Sequence, residues 1–485
     1  MARVLPLQPA MTNTTVVEPG TFDVPEHYYP RVPNARLHPL VRFFLGLGNE
    51  RIAVRYCHLH PEADLPSVRA LLGGTTKHLR WAGADLFHVT TDQGVRRNVV
   101  IEVNSSPSGQ KSMPLRDDED EQGGYRTLLR RSFMPLLTRR GLPPGRLAVL
   151  WDKNPMETSG YAATMADLSG EPVLSVPVFS GAPEANLRCV EGVLQARTDA
   201  GWEPIRAAFR YVTQRPWTRI PPITRTAVLN PVVACLAGGR NKLLAAKAYE
   251  WKNAQLASTG LSIRTPETIW DVSKAEVPLW VARMGGVAVV KDPYSNAGQG
   301  VWTVTSPEEL EAFMDTDHRY DRYIVQALIG NSAWSSLSKG KRFFHVGTMP
   351  NRKGEIFVAD FRFMIGSSPD GFYPLALYAR RARKPLLHRL EPGAESWDML
   401  GTNLSVKSGD GTFTTEPNRL LLMDSRDFNS LGLGLDDLTE AYIQTVLSVT
   451  AIDDIACQLV TQRGVFRRRF FQSLVPDPAL SAEIL

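Results

Sequence analysis

Residues in the middle of the chain have the chemistry needed to hold phosphate groups. Segment 289–301, with the sequence VVKDPYSNAGQGV, predicts a strand followed by a glycine loop. Glycine lets backbone N–H groups approach phosphate oxygens without a Cβ in the way, and a lysine adds a point charge. The alternative for this stretch alone is an ordinary hairpin with a lysine before a glycine turn; together with the motifs around it, we expect the segment to hold the phosphates of ATP. The contributing residues would be Lys291, Asn296, Gly298, Gln299 and Gly300.

A second group, near the start of the chain, has the ligands that Mg²⁺ or Mn²⁺ prefers. Two β-rich runs, 84–89 and 99–103, flank turn residues and predict a hairpin. Glu102 and Asn104 share one face of their strand, and a symmetric hairpin centred between residues 93 and 94 places Asp85 opposite Glu102. Two carboxylates and an amide then converge, as a hard cation requires. The alternative is an acidic surface pair, and a one-residue bulge would change the register.

Further motifs follow one another around the glycine loop. A helical run that begins with Lys242 precedes the segment GLSIRTPET at 260–268. After the loop come YIVQALIG (323–330), DFRFMI (360–365), YARRA (378–382) and GTNLS (401–405). In this order and at these spacings, the motifs resemble the ATP-grasp superfamily, in particular its RimK-like and glutathione-synthetase-like ligases. The resemblance covers residues 240–410.

The acidic strand with which such ligases end is in an unexpected place. The family pattern GvD…EvNssPG does not follow Asn403. It is matched instead by AGADLF at 82–87 and IEVNSSPSG at 101–109. We therefore predict an α/β ATP-grasp fold that is circularly permuted, with a Rossmann-like domain as its companion. Chain order does not affect the chemistry if the strands meet in space.

The resemblance also implies roles for single residues. Arg362 would clamp the γ-phosphate or an acyl phosphate through its planar fork of donors. Arg380 or Arg381 would stabilise the transferring phosphoryl group, and the choice stays open because neighbours on a strand point opposite ways. Lys242 has the alternative of a solvated helix residue, and Asn403 that of a turn residue. The nucleotide-binding set is completed by Lys242, Gln326, Ala327, Leu328, Asp360 and Asn403.

The activity implied is that of an ATP- and Mg²⁺-dependent ligase. It would activate a small-molecule carboxylate as an acyl phosphate and join it to an amine, both amino-acid- or peptide-like, releasing ADP and phosphate. Segment 294–300 would close over the site and exclude water. One alternative is a kinase acting on a hydroxyl group. Another is a nucleotide-binding regulatory protein without turnover. The intact set of Asp85, Glu102, Asn104, Lys291 and Arg362 argues against this second alternative.

The chain of 485 residues is long enough for several structural units. Arg51–Tyr56 predicts a strand, and Asp152, Arg210 and Arg215 are candidate contacts to the amine acceptor. We predict an N-terminal arm (1–35), a permuted part of the ATP-grasp C-lobe with the metal-binding hairpin (36–145), a Rossmann-like α/β domain (146–235), an N-lobe with the glycine loop (236–330), and the C-lobe with C-terminal helices (331–485).

Composition argues against nucleic acid and membrane as partners. The net charge of +5 is small, and the sequence lacks the repeated basic–aromatic pattern that is typical of nucleic-acid binding. The sequence has no run of about 18 apolar residues, so we expect no membrane span. The first residues lack an apolar core long enough for a signal peptide. Four cysteines without metal-ligand spacing indicate a reducing compartment, so we expect a cytoplasmic protein. Homo-oligomerisation is left open.

Overall fold

The computed structural model describes residues 13–117, 119–180, 185–295, 300–338, 340–390, 395–407 and 413–484. The α/β class predicted from the sequence is confirmed. The described strands are β1 (Thr15–Val17), β2 (Trp81–Thr91), β3 (Arg96–Asn104), β4 (Arg146–Trp151), β5 (Val173–Pro177), β6 (Leu187–Val190), β7 (Val193–Thr198), β8 (Gly201–Tyr211), β9 (Ala227–Leu229), β10 (Thr268–Ser273), β11 (Ala288–Lys291), β12 (Val301–Val304), β13 (Arg322–Ala327), β14 (Phe343–His345), β15 (Ala359–Ser368), β16 (Gly371–Arg381), β17 (Ser405–Lys407), β18 (Phe413–Thr415) and β19 (Leu420–Leu421).

Helices cover the sheets, and two of them, α8 and α11, contribute residues to the cleft described below. Those in the described residues are α1 (Val24–His27), α2 (Pro39–Gly46), α3 (Gly48–Leu59), α4 (Leu65–Gly73), α5 (Gly123–Leu128), α6 (Pro155–Ser169), α7 (Val232–Ala234), α8 (Lys242–Leu256), α9 (Val277–Arg283), α10 (Pro307–Asp315), α11 (Ser396–Leu400), α12 (Ser425–Leu431), α13 (Leu435–Gln458), α14 (Arg468–Leu474) and α15 (Pro478–Ile484). None of them is both long and apolar enough to cross a lipid bilayer.

A six-stranded antiparallel sheet joins the two ends of the described chain. Its order is β14-β2-β15-β16-β19, and β3 pairs with β2. The hairpin β2–β3 therefore lies beside β15, which comes more than 250 residues later in the sequence. The long helix α13 packs against β3 and β15, so the opposite face of the sheet is left for other contacts.

A four-stranded antiparallel sheet, β10-β13-β11-β12, forms a smaller lobe. Its apolar side chains, among them Val272, Val290 and Phe313, make a core separate from the main one. Helices α9 and α10 contribute to this core through Val281 and Phe313. The strand predicted before the glycine loop is β11, and the strand after it is β12.

The third large sheet has seven strands in the order β1-β5-β4-β8-β7-β6, with β9 beside β8. Strands β5, β4, β8 and β9 run parallel, and helix α6 connects β4 to β5 as a βαβ unit. This sheet shares one core with the six-stranded sheet. The ring of Trp81 on β2, for example, lies 4.9 Å from that of Phe209 on β8.

Two local predictions differ from the structure. Arg51–Tyr56 is not a strand but part of helix α3. Ile52, Ala53 and Tyr56 are buried on one helical face while Val54 is 49% exposed, so the apolar alternation was misleading. The N-terminal arm is also less loose than expected, because Thr15–Val17 pairs with β5 as an edge strand.

Candidate active site

A single cleft between the four-stranded and six-stranded sheets collects most of the predicted site residues. Asn296, Gly298 and Gln299 lie outside the described residues. Gly300 and Arg381 are described but are not part of the cleft wall. The predicted residues that line the cleft are Asp85, Glu102, Asn104, Lys242, Lys291, Gln326, Ala327, Leu328, Asp360, Arg362, Arg380 and Asn403.

A row of polar side chains crosses the six-stranded sheet on the side that faces the cleft. Glu102 on β3 pairs with Asp85 on β2, which pairs with Arg362 on β15, which pairs with Tyr378 on β16. Register partners on neighbouring strands project to the same face. The row therefore brings together residues that are up to 293 positions apart in sequence, and sheet geometry alone holds them in line.

The predicted pairing of Asp85 with Glu102 is present, although the hairpin differs from the symmetric one assumed. Nearer the turn, Thr90 pairs with Arg96 and Leu86 with Val100, which centres the hairpin on residue 93. A bulge between these pairs and Asp85 then shifts the register by one residue. The shifted turn and the bulge compensate for each other, so Asp85 and Glu102 are still register partners.

Asp85 is held by two arginines. Arg362 donates from Nε to Oδ1 at 2.5 Å and from Nη2 to Oδ2 at 2.6 Å, and Arg380 donates to Oδ2 at 3.0 Å. Burial alone would raise the pKa of Asp85, but Arg362 and Arg380 lower it to about 2. Both oxygens of this carboxylate are thus engaged. Any cation bound by Asp85, as the sequence predicts, would have to share it with these arginines.

The other two predicted metal ligands keep polar atoms directed to the cleft. Oε2 of Glu102 lies 3.8 Å from Nζ of Lys242. Asn104 is 3% exposed, and its Nδ2 has no hydrogen-bond partner in the described part of the chain. A flip of this amide presents its oxygen to the same place. Such oxygens fit a hard divalent cation that also takes phosphate ligands.

Protein side chains by themselves do not complete a metal centre. No group of three or more His, Cys, Asp or Glu residues within the described ranges is arranged to hold a metal ion. The two carboxylates and the amide at this point match the small number of protein ligands that Mg²⁺ commonly takes beside a nucleotide. The residues therefore fit a cation that arrives together with phosphate.

Lys291 stands at the end of β11 with its ammonium group in the cleft. Its Nζ donates to Oε1 of Gln326 at 2.7 Å, and Gln326 in turn donates to Thr268 at 2.8 Å. Burial lowers the pKa of Lys291 to about 8, with Glu102 opposing the shift and Lys242 adding to it. This lysine is thus held in place by an uncharged partner, which leaves its charge available to an anion.

Lys242 occupies the first position of helix α8, after the N-cap residue Asn241. It is not the solvated helix residue of the alternative interpretation. Its Nζ donates to the hydroxyl of Ser295 at 2.9 Å and lies near Glu102. Burial lowers its pKa. Lys242 and Lys291 therefore approach Glu102 from two different elements.

The described ends of the glycine loop are fixed. The backbone N–H of Asp292 donates to the carbonyl of Gly300 at 2.8 Å. Gly300 has φ of +64°, and a Cβ there would lie 2.2 Å from the Asp292 carboxylate. Glycine is thus required on both conformational and steric grounds. Burial raises the pKa of Asp292 to about 6.

The far end of the cleft is apolar, with one histidine. Ala327 and Leu328 line it, but their backbone N–H groups already donate to Glu267 and Ser336. His345 is 9% exposed, and its Nδ1 has no hydrogen-bond partner in the described residues. Burial lowers the pKa of His345 to about 3, so the ring is neutral, and the tautomer protonated on Nε2 presents Nδ1 as an acceptor.

The neighbours Arg380 and Arg381 lie on opposite sides of β16. Arg380 lines the cleft and forms an ion pair with Asp360, which also accepts from Thr402 at 2.9 Å. The guanidinium of Arg381 instead lies 4.9 Å from the ring centre of Phe357. The role predicted for Arg381 therefore has no support in its position, which is set by strand alternation.

Three cations in the cleft were not predicted. Lys111, Lys153 and Arg240 line its wall on the side of the seven-stranded sheet. Lys153 follows β4 by two residues, at the carboxyl end of a parallel strand that begins a βαβ unit. Ligands bind at such ends, so this position was a signal available in the sequence.

The predicted acceptor contacts are placed elsewhere. Asp152 accepts hydrogen bonds from the backbone of Thr213 and Gln214. Arg210 is fully buried and donates to backbone carbonyls, and Arg215 lies 3.9 Å from Glu483. None of the three predicted contacts lines the cleft.

Comparisons with known proteins add a likeness in fold. No family model and no curated protein matches the sequence. Solved structures similar to it include a RimK-domain ATP-grasp protein from Sphaerobacter thermophilus, with 15% identity over 48% of this chain and 90% of the other and a TM-score of 0.28. A glutathione synthetase-like effector from Globodera pallida has 8% identity, covers 72% and 86%, and has a TM-score of 0.36.

D-alanyl-alanine synthetase A from Vibrio cholerae has 11% identity, covers 53% of this chain and 93% of its own, and has a TM-score of 0.28. All three TM-scores are below 0.5 and all three identities are 15% or less, so the function proposed below is inferred from the contacts in the cleft.

Proposed function

We propose that this chain is an ATP-dependent carboxylate–amine ligase with a circularly permuted ATP-grasp fold. The observation that carries the proposal is the row Glu102–Asp85–Arg362–Tyr378 across the six-stranded sheet, faced by Lys291 and Lys242 from the other side of the cleft. Acidic residues for a cation and basic residues for phosphate thus meet in one place. This is the requirement for phosphoryl transfer from ATP.

The permutation is supported by the pairing of β2 with β15. The segments AGADLF and IEVNSSPSG, which resemble the family's last strands, stand near the start of the sequence and yet lie in the same sheet as the DFRFMI motif. On this interpretation, the predicted unit 36–145 belongs with 331–485. The unit 146–235 supplies six strands of the seven-stranded sheet, and 236–330 supplies the smaller lobe.

In the proposed reaction, the triphosphate of ATP lies between the two lobes. Lys291 and Lys242 neutralise its oxygens, and Ala327, Leu328 and His345 surround the base. A divalent cation held by Asp85, Glu102 and Asn104 would supply charge neutralisation at the phosphates.

Arg362 and Arg380 would stabilise the phosphoryl group as it moves. A carboxylate oxygen of the substrate attacks the γ-phosphorus, the bond to the β-phosphate oxygen breaks, and ADP leaves. The amine then attacks the acyl carbon of the acyl phosphate, inorganic phosphate departs, and the amine loses a proton. Electrostatic stabilisation and positioning account for such catalysis.

A trapping experiment tests the proposal without knowledge of the amine. The protein is incubated with ATP, Mg²⁺, hydroxylamine and pools of carboxylates, and hydroxamates, ADP and phosphate are measured. A ligase gives hydroxamate together with equal amounts of ADP and phosphate. A kinase gives ADP and a phosphorylated product but no hydroxamate, and a regulatory protein binds ATP without turnover. Either of the latter results would refute the ligase proposal.

Matched lysine variants give the control. Lys291→Met removes a cation from the cleft and is expected to abolish hydroxamate formation. Lys353→Met changes a lysine in the exposed turn 351–354 and is expected to leave it unchanged. Equal loss in both variants would show that the activity does not come from the cleft.

A further inference from the structure

The cleft continues past Arg362 toward the seven-stranded sheet, where it has a second group of cations. Lys153 lies between β4 and α6, Lys111 lies in the turn 110–112, and Arg240 precedes α8. All three line the same cleft as the proposed ATP site. They reach this place from separate parts of the chain, so their proximity is created by the packing of the sheets.

Two of these cations, Lys111 and Lys153, form a group apart from the phosphate lysine Lys291. The pKa of Lys153 falls to about 7, first because of burial and then because of Arg240, while Asp152 opposes the shift and Arg362 and Lys111 add to it. The pKa of Lys291, by contrast, responds to Glu102, Lys242 and Asp85. Arg240 belongs to both surroundings, because it lowers the pKa of Lys153 and also that of Lys242.

The carboxylates nearest to the two lysines make no charge-assisted hydrogen bond with them. Lys153 has no carboxylate within 4 Å and no hydrogen bond among the residues that the structure describes. Lys111 is 6% exposed, and its Nζ lies 3.9 Å from Glu157. That distance is longer than a charge-assisted hydrogen bond, and Asp152 is occupied by the loop at 213–214.

Glu157 is itself engaged by the loop that follows β3. Its oxygens accept from the hydroxyl of Ser108 at 2.8 Å and from the backbone N–H groups of Gly109 and Gln110 at 3.0 and 2.9 Å. Its charge is thus directed to the backbone of this loop. Two buried or half-buried ammonium groups remain facing the cleft, which is costly unless an anion binds there.

We propose that Lys111, Lys153 and Arg240 form a basic subsite for a doubly negative group on a substrate. A single negative charge would have to be shared between the two ammonium groups, whereas a dianion offers a charged acceptor to each of them. The dianion can be a pair of carboxylates or a phosphate monoester. Its assignment to a substrate rests on the proposed ligase function, because these cations line the same cleft as the proposed ATP site.

Binding measurements test the basic subsite without turnover. Calorimetric titrations use protein saturated with Mg²⁺ and a non-hydrolysable ATP analogue. The probes are aspartate, glutamate, succinate and glutarate, each compared with its monoamide, and O-phosphoserine compared with serine. We expect at least one dianion to bind about 10- to 150-fold more tightly than its less charged counterpart, the range of one charged hydrogen bond. Preference for a dicarboxylate or for phosphoserine identifies the source of the charge.

Two lysine variants decide whether the preference comes from this place. Lys153→Met should remove the preference for the dianion while the affinity for the ATP analogue stays the same, and Lys353→Met should keep both. Because Lys153→Met removes an unpaired, partly buried cation, its melting temperature should not fall below that of the wild type.

Three results would overturn the inference. The first is that no dianion binds better than its counterpart, and the second is that Lys153→Met retains the preference. The third is that Lys153→Met weakens binding of the ATP analogue as strongly as that of the dianion. Dianion binding without hydroxamate formation would refute the ligase proposal and leave the subsite standing, and hydroxamate formation without dianion binding would do the reverse.

Discussion

The lowered pKa of Lys291 makes nucleotide binding dependent on pH. In the free protein this pKa is about 8 because the ammonium group is buried. A bound triphosphate places negative charge beside it, which favours the protonated form and raises the pKa. The bound protein therefore holds a proton that the free protein loses above pH 8. Affinity for ATP should be fully present below pH 8 and decline as the pH rises.

The size of the effect follows from the same value. At pH 9 about one tenth of the free protein carries a charged Lys291, so the apparent Kd should rise about tenfold, or about 1.4 kcal/mol, relative to pH 7. At pH 8 about half a proton should be taken up for each nucleotide bound. Calorimetry at pH 7 to 9.5 in two buffers of different ionisation heat measures both quantities.

Lys291→Arg is the matched control, because a guanidinium group stays charged throughout this range. In Lys291→Arg the pH dependence of ATP affinity that is assigned to Lys291 should disappear, and any loss of affinity that remains belongs to other groups such as Lys242. If wild type and Lys291→Arg lose affinity in parallel, or if the wild type takes up no additional proton at pH 8, the reasoning about Lys291 is wrong.

Three further predictions concern other parts of the cleft. Arg380→Ala should lower kcat/KM about 10²- to 10³-fold. It should also lower the melting temperature, since Asp360 loses its ion pair. Arg381→Ala should keep a kcat/KM near that of the wild type, and equal losses in the two variants would remove Arg380 from the proposed site. His345→Ala should reduce the preference for ATP over GTP, measured as the ratio of their Kd values, about 2- to 12-fold. The reason is that unprotonated Nδ1 accepts a hydrogen bond from the amino group of adenine and repels the oxygen of guanine. An unchanged Kd ratio would exclude this contact. Glu102→Gln should raise several-fold the Mg²⁺ concentration for half-maximal ADP release, and an unchanged Mg²⁺ titration would contradict its assignment as a ligand.

Residues that alternate along strands were the most predictable part of the cleft. Asp360 and Arg362 share a face because they are two apart, and the same period places Arg380 and Arg381 on opposite sides. Which of the two arginines faces the cleft depends on which side the smaller lobe covers. That information lies in the packing of sheets and not in the local sequence.

The acidic pair shows how a prediction can hold although one of its assumptions is wrong. Turn residues and a period of two predicted that Asp85 meets Glu102, and they do. However, the turn is centred on residue 93, half a residue earlier than assumed. A bulge between Asp85 and Leu86 then restores the pairing of Asp85 with Glu102. Bulges arise from the demands of neighbouring strands, so residues 84–104 alone could not have predicted this one.

The basic subsite lay beyond sequence reasoning for a different reason. From the sequence we predict an acceptor contact at Asp152, whereas the cleft is lined by its neighbour Lys153. The two side chains diverge, because the loop at 213–214 captures Asp152 through its backbone N–H groups. Lys111 and Arg240 come from turns whose position is fixed only when three sheets pack together.

The pairing of β2 with β15 has a consequence for how the protein is made. Asp85 and Arg362 are 277 positions apart, and at about 5–20 residues per second a ribosome needs roughly 15–55 s to cover that distance. During this time β2 lacks one of its neighbouring strands, and such unpaired edges are prone to aggregation. Helix α13, which covers β3 and β15, is synthesised later still. The nascent hairpin should therefore depend on a chaperone or on transient local contacts, and a chain truncated before residue 359 should lose the acidic site although every acidic residue of the hairpin is already present.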